Sequence, residues 1–253
     1  MAATKTQAFI LKTQDYRDTS ILGHFYTREY GKIRGIIKGV RDARSRYGST
    51  LEPFSLNEIL FYKRRRGGDL HQVTQVDLVT LFPGVREDLE RLATASYFVE
   101  LLNELVEVED PSPALFDLLN DSILFLAGGA SPKRSARIFE IKLLELLGLL
   151  PEIGACVICR APKPDPVYFN IGIGGIVCAA CRSARARESA FPVSKGTLQF
   201  LRHVLRSKPA DLQNVKVSQE VGEGLEKILR RFVDYHLSHK LKSVIFLEKM
   251  GYN

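Results

Sequence analysis

Alternation of apolar and polar residues with a period of two dominates the first eighty positions of the chain. Five segments with this pattern predict β-strands at residues 7–14, 20–28, 32–40, 54–62 and 70–79. Most of the links between them are too short to hold a helix. Such a run of short strands predicts a small barrel of the OB type, because closing the sheet removes its exposed edges.

Beyond Pro83-Gly84 the apolar period changes to about 3.6 residues, the period of amphipathic helices. Serine caps and terminal glycines then set the helix boundaries. Helices are predicted from Leu89 to about Val106, Ser112 to Gly128, Ser131 to Gly148, Ser194 to Arg206 and Ser218 to His239. The last residues, from Lys240, are expected to dock their apolar side inward.

Two C-x-x-C pairs form the most specific motif of the sequence. Cys156 and Cys159 are followed after eighteen residues by Cys178 and Cys181. Two such knuckles complete a tetrahedral four-sulfur site, which suits one structural Zn²⁺ and leaves no open position for water. The segment between them is too short and too rich in proline and glycine to build a core, so a metal would have to hold it together. Thioredoxin-like redox chemistry is disfavoured, because both pairs share one small segment.

The predicted third strand carries a cationic face, since Lys32, Arg34 and Lys38 point away from Ile33 and Ile37. Cations spaced along a strand and its exit loop match the charges of a phosphate backbone, and tyrosines nearby can stack on bases. The candidate nucleic-acid-binding residues are Lys32, Arg34, Lys38, Arg41, Arg44, Arg46, Lys63, Arg64, Arg65 and Arg66, and the candidate stacking residues are Tyr26, Tyr30, Tyr47, Phe61 and Tyr62. Charges that only protect an edge strand from aggregation remain the simpler alternative.

Charge is segregated along the chain. Residues 1–82 carry 14 Lys and Arg against 8 Asp and Glu, residues 83–153 carry 6 against 13, and residues 154–253 carry 16 against 8. Two basic regions around an acidic helical one are typical of a polyanion-binding protein with a separate partner surface.

A P-loop, a complete dinucleotide fingerprint and a nucleophile with its base are all missing from the sequence, so no enzymatic function is expected. Without an apolar run of membrane-spanning length or a signal peptide, a cytoplasmic, nucleoid-associated protein without membrane contact is expected.

Several separate motifs resemble one known family in both order and spacing. They are Phe25-Tyr-Thr-Arg-Glu-Tyr-Gly-Lys-Ile-Arg34, Lys38-Gly-Val-Arg41, Leu51-Glu-Pro-Phe54, Leu146-Leu-Gly-Leu-Leu-Pro151 and Gly174-Gly-Ile-Val-Cys178. Together they resemble the RecO family of bacterial DNA repair and recombination mediators over essentially the whole chain. The fold class expected from pattern and resemblance is α+β and multidomain. It has an OB-fold nucleic-acid-binding domain at 1–82 and an all-α domain at 83–253, with a four-cysteine zinc ribbon inserted at 154–184.

The resemblance implies a non-enzymatic mediator of homologous recombination. Such a protein binds single- and double-stranded DNA, anneals complementary strands and, with its partner RecR, helps load RecA onto DNA covered by single-strand-binding protein, whose C-terminal tail it also contacts. Two alternatives remain open at this point. A zinc-ribbon and OB-fold transcription or translation factor would also be basic, and a metal-dependent nuclease is the enzymatic alternative.

Overall fold

The computed structural model describes residues 3–40, 48–63, 70–162, 164–185, 190–212 and 215–251. Five strands form a closed barrel in the order β1-β2-β3-β5-β4. They are β1 Ala3–Tyr16, β2 Ser20–Thr27, β3 Gly31–Ile37, β4 Leu56–Tyr62 and β5 Leu70–Thr80. All neighbours are antiparallel except β3 and β5, which are parallel. The predicted OB-type barrel is confirmed.

The barrel interior is filled by one side chain in two from each strand. Ile33 and Ile37 of β3 pack there with Phe25 of β2 and Ile10 of β1, all without exposed surface. Gly23 and Gly35 are paired in register, and a Cβ at Gly23 would lie 2.6 Å from the Phe25 ring. The two glycines therefore leave room for the side chains of Phe25 and Val73 inside the barrel.

Eight α-helices lie in the described part of the chain. They are α1 Pro83–Arg86, α2 Leu89–Leu105, α3 Pro113–Ala127, α4 Pro132–Leu146, α5 Ala179–Arg185, α6 Lys195–Arg206, α7 Gln219–His236 and α8 Lys242–Lys249. Ser112, Ser194 and Ser218 cap α3, α6 and α7 with side-chain oxygens, as the sequence predicts, and Asp88 caps α2 in the same way. The predicted helix 218–239 is too long, because the backbone of Leu237 is already extended.

The chain divides into two compact units, residues 1–132 with 241–253 and residues 133–240. The predicted boundary between residues 82 and 83 separates the barrel from the helices, whereas the first division between the compact units lies between residues 132 and 133. The predicted boundary stays a prediction. In the first unit, α2 and α8 pack together: Glu100 of α2 accepts hydrogen bonds from the N–H groups of Lys242 and Ser243 at 2.9 and 2.8 Å. A side chain distant in sequence thus caps the last helix.

The second unit has its own apolar core and a small sheet. Strands β6 Val167–Asn170, β7 Gly175–Cys178 and β8 Ala190–Pro192 lie in the order β7-β6-β8, all antiparallel. Phe169 of this sheet and Phe232 of α7 meet edge to face in the core. The predicted ribbon at 154–184 thus contains the β6-β7 hairpin, and β8, beyond its predicted end, adds a third strand to the sheet. Of the helices described, none combines the length and the apolar character needed to span a membrane.

Candidate nucleic-acid interface and metal centre

The outward face of β3 carries the cations that the sequence predicts there. Along Gly31–Ile37 every second residue is buried, and Lys32, Arg34 and Ile36 between them are half-buried. Lys38, directly after the strand, is exposed. We call Lys32, Arg34 and Lys38 the cationic strand face. Arg34 pairs in register with His24 of β2, which in turn pairs with Lys12 of β1, so basic side chains cross three neighbouring strands of the barrel.

Lys32 has an intramolecular contact that sequence reasoning missed. Its Nζ donates a hydrogen bond to the carbonyl oxygen of Asn103 at 2.7 Å, in the last turn of α2. The Asn103 side chain also contacts His24, with 2.8 Å between Oδ1 and Nδ1. A lysine at a helix C-terminus satisfies a carbonyl that lacks a helical partner and faces the negative end of the helix dipole. Lys32 thus joins the barrel to α2.

The link between α2 and α3 lies along the edge of β3. We call residues 106–112 the connector. Val108 forms a parallel bridge with Lys32, and the N–H of Glu109 donates to the Lys32 carbonyl at 2.8 Å. Nε2 of buried His71 on β5 lies 3.0 Å from Oε1 of Glu109. On this edge of β3, strand β5 pairs with Arg34–Ile37. The connector occupies the same edge at Lys32, before the pairing with β5 begins.

Of the remaining candidate cations, the structure describes only Lys63. Arg41, Arg44, Arg46, Arg64, Arg65 and Arg66 lie outside the described residues, as does Tyr47. Lys63 is exposed, and its Nζ lies 4.5 Å from the centroid of the Tyr30 ring. Tyr30 and Tyr62 are half-buried. Every DNA contact, at placed and unplaced residues alike, stays a prediction.

Two predicted stacking residues are core residues. Tyr26 and Phe61 have no exposed surface, so the prediction that they stack on bases is wrong. The Tyr26 ring is buried on the outer side of β2, where its hydroxyl donates to the carbonyl of Ser112 at 3.3 Å. Phe61 packs inside the barrel against Tyr30 and His71. Sequence alternation alone cannot separate an outward residue covered by a later segment from one that faces solvent.

The four cysteines meet at one point of the second unit. The Sγ atoms of Cys156, Cys159, Cys178 and Cys181 all lie within 4.8 Å of one another. Among the residues described, this is the one cluster of His, Cys, Asp or Glu side chains whose geometry could hold a metal ion. His236 and His239, which sequence spacing places on one helical face, do not share a helix, because α7 ends at His236.

Backbone turns aim the sulfurs at the common centre. After Cys159 the chain reverses at Arg160, which has a positive φ of 61° and donates its N–H to the Cys156 carbonyl at 2.9 Å. The second pair leaves β7 and enters α5, and the N–H of Cys178 donates to Sγ of Cys156 at 3.5 Å. Val157 is held to Ile176 of β7 by a hydrogen bond of 2.9 Å. The first knuckle is thus held beside β7, so the β6-β7 hairpin brings the two knuckles together, as the sequence predicts.

The electrostatics of this cluster favour a bound cation. Burial raises the pKa of Cys156, but N–H groups of Cys159, Cys178 and Ile158 that donate to its sulfur outweigh burial and lower that pKa to about 6. Hydrogen bonds with the sulfurs of Cys159 and Cys178 raise the pKa of Cys181 to about 12. Four thiolates this close repel one another unless a cation neutralises them. The cluster has the donor set and the spacing of a metal site.

Comparison with known proteins decides the family. The family model described as "Recombination protein O N terminal" matches residues 1–82, and "Recombination protein O C terminal" matches residues 86–245. The chain belongs to the RecO family. It is 33% identical over 251 residues to the DNA repair protein RecO of Syntrophus aciditrophicus (strain SB), covering 98% of this chain and 96% of the relative. It is also 35% identical over 251 residues to the DNA repair protein RecO of Pelotomaculum thermopropionicum, covering 99% and 96%.

Membership of the RecO family bears on the alternatives above. The relatives are named DNA repair proteins, which favours repair over a role in transcription or translation. The resemblance to RecO stated from separate motifs is confirmed over nearly the whole chain. The barrel and the cysteine cluster are therefore parts of a DNA repair protein of the RecO family.

Proposed function

We propose that this protein is a recombination mediator that binds single- and double-stranded DNA and anneals complementary strands. The observation that carries the proposal is the cationic strand face on the outside of an OB-type barrel, in a chain of the RecO family. Barrels of this type commonly bind strands by a basic groove that follows the backbone. Annealing needs no nucleophile and no ATP, only cations that screen two phosphate backbones from each other.

The partners of this mediator are proposed from its resemblance to the family. RecR, the C-terminal tail of single-strand-binding protein and, indirectly, RecA are the proposed partners, and the product of their joint action is RecA loaded on DNA that single-strand-binding protein had covered. The protein itself is proposed to be no enzyme. A four-cysteine site fills all four positions of a tetrahedral metal, so it has no open position at which water could be activated.

Zinc is the metal that we propose for the cysteine cluster. Tetrahedral Zn²⁺ with four thiolates at about 2.3 Å requires sulfurs about 3.8 Å apart. Sγ of Cys159 and Sγ of Cys178 lie 3.7 Å apart. Cys156, Cys159, Cys178 and Cys181 would hold the ion, which would fix β7, α5 and the 156–160 turn to one another. Its role is structural.

Removing two cations from the strand face should weaken DNA binding without regard to sequence. For Arg34→Ala with Lys38→Ala we expect lower affinity for all oligonucleotides alike, and a dependence of log K on log salt that is flatter by about 0.7 to 0.9 for each lost phosphate contact. Fluorescence anisotropy of labelled single- and double-stranded DNA over a salt series measures both effects.

The matched control for this experiment is Lys242→Ala with Lys249→Ala. These two lysines are exposed on α8 of the same unit, and their removal changes the net charge equally. The control should keep the wild-type slope within error. An unchanged slope for the Arg34 and Lys38 variant would remove β3 from the DNA contact surface.

A further inference from the structure

Acidic side chains surround the beginning of the cationic strand face. Glu104 lies in the last turn of α2, and Glu107, Glu109 and Asp110 belong to the connector. All four are exposed. The backbone contact is close, because a Cβ on Gly31 would lie 2.2 Å from the carbonyl oxygen of Asp110. With the Val108 bridge and the Glu109 hydrogen bond to Lys32, this contact fixes the acidic residues beside β3.

Two of these carboxylates act on Lys32 in particular. Burial lowers the pKa of Lys32, and the negative charges of Glu104 and Glu107 oppose that change, while Arg34 adds to it. The lysine ammonium thus has a carbonyl partner on Asn103 and two carboxylates near it. The positive potential of Lys32 is therefore already partly neutralised before a phosphate approaches this end of the strand.

We propose that Glu104 and Glu107 compete with nucleic-acid phosphates for Lys32, at the start of β3. The inference rests on the proposed DNA binding and concerns its regulation. These carboxylates lower the affinity of Lys32 for DNA. Arg34, Lys38 and the residues after them therefore make the main contacts with bound DNA. An annealing protein must release its strands after they pair, and intramolecular carboxylates that neutralise Lys32 again speed that release.

The test replaces both carboxylates by amides of the same shape. Glu104→Gln with Glu107→Gln should bind a single-stranded oligonucleotide of about 30 nucleotides, longer than one OB-fold site, more tightly than wild type. We expect about a three- to tenfold gain near 50 mM salt, which shrinks near 200 mM because exposed charges are screened. The dependence of log K on log salt should become steeper by about one phosphate contact.

The matched control removes two carboxylates from the other end of α2. Glu87→Gln with Glu90→Gln changes the net charge equally, and Glu90 is about 20 Å from Glu104 by the rise of the helix. The control should change affinity by less than about twofold. Equal gains in both variants would mean a general charge effect and overturn the proposal, as would no gain in the Glu104 and Glu107 variant while wild type binds. Absence of salt-sensitive binding by wild type would instead refute the proposed function, and the inference would fall with it.

Discussion

Cys156→Ser is expected to release the metal and unfold the region around the cysteine cluster. Cys156 is fully buried, and its sulfur accepts a hydrogen bond from the N–H of Cys178. Serine is a poor zinc ligand, and the hairpin has little core of its own, so the loss should be about 3 kcal/mol or more of unfolding free energy. Metal content by atomic absorption should fall from one ion per chain to nearly none, and urea unfolding should show an earlier transition.

Ala179→Ser is the control for this variant. Ala179 is exposed between the ligands Cys178 and Cys181, so the change adds a hydroxyl to the knuckle without removing a sulfur. It should keep both the metal and the stability. A Cys156→Ser protein with full metal content and an unchanged transition would show that the cluster is not a metal site. A variant that loses metal, stays folded and no longer binds DNA would give the ribbon a direct role in binding.

Gly31→Ala is expected to destabilise the first unit by about 3 kcal/mol. Gly31 has a positive φ of 64°, and its added Cβ would lie 2.2 Å from the backbone of Asp110. The left-handed conformation costs an alanine about 1 kcal/mol, and displacing the connector backbone adds the rest. Urea unfolding followed by circular dichroism measures the change.

Gly39→Ala separates the two causes of this loss. Gly39 also has a positive φ, 69°, but a Cβ there would meet no atom within 4 Å. It should lose only the conformational part, about 1 kcal/mol. Equal losses at Gly31 and Gly39 would contradict the close contact between the connector and β3, and with it the position of the acidic residues beside Lys32.

The sequence predicted the elements that depend on local pattern. Alternation located the five strands, although β1 begins at Ala3, earlier than the predicted residue 7. Side-chain caps such as Ser112 and Ser194 marked helix starts because their hydrogen bonds reach only three residues along the chain. The four cysteines were found from spacing alone, since a C-x-x-C pair already places two sulfurs together.

Contacts between residues distant in sequence were not predictable in the same way. Lys32 and its partner Asn103 are 71 residues apart, and no local pattern distinguishes a lysine that caps a helix from one that faces solvent. Tyr26 is buried for a related reason, because Ser112 and its neighbours cover the outer side of β2. The exposed part of the cationic face is therefore smaller than alternation indicates.

Annealing of two complementary oligonucleotides coated with single-strand-binding protein, without ATP, tests the central claim most directly. The mediator account predicts faster annealing with this protein at low salt, a smaller acceleration at high salt, and a reduced one for the Arg34 and Lys38 variant, since screening and charge removal weaken the same phosphate contacts. Annealing at the uncatalysed rate at both salt concentrations, with RecR as well as without it, would contradict that account.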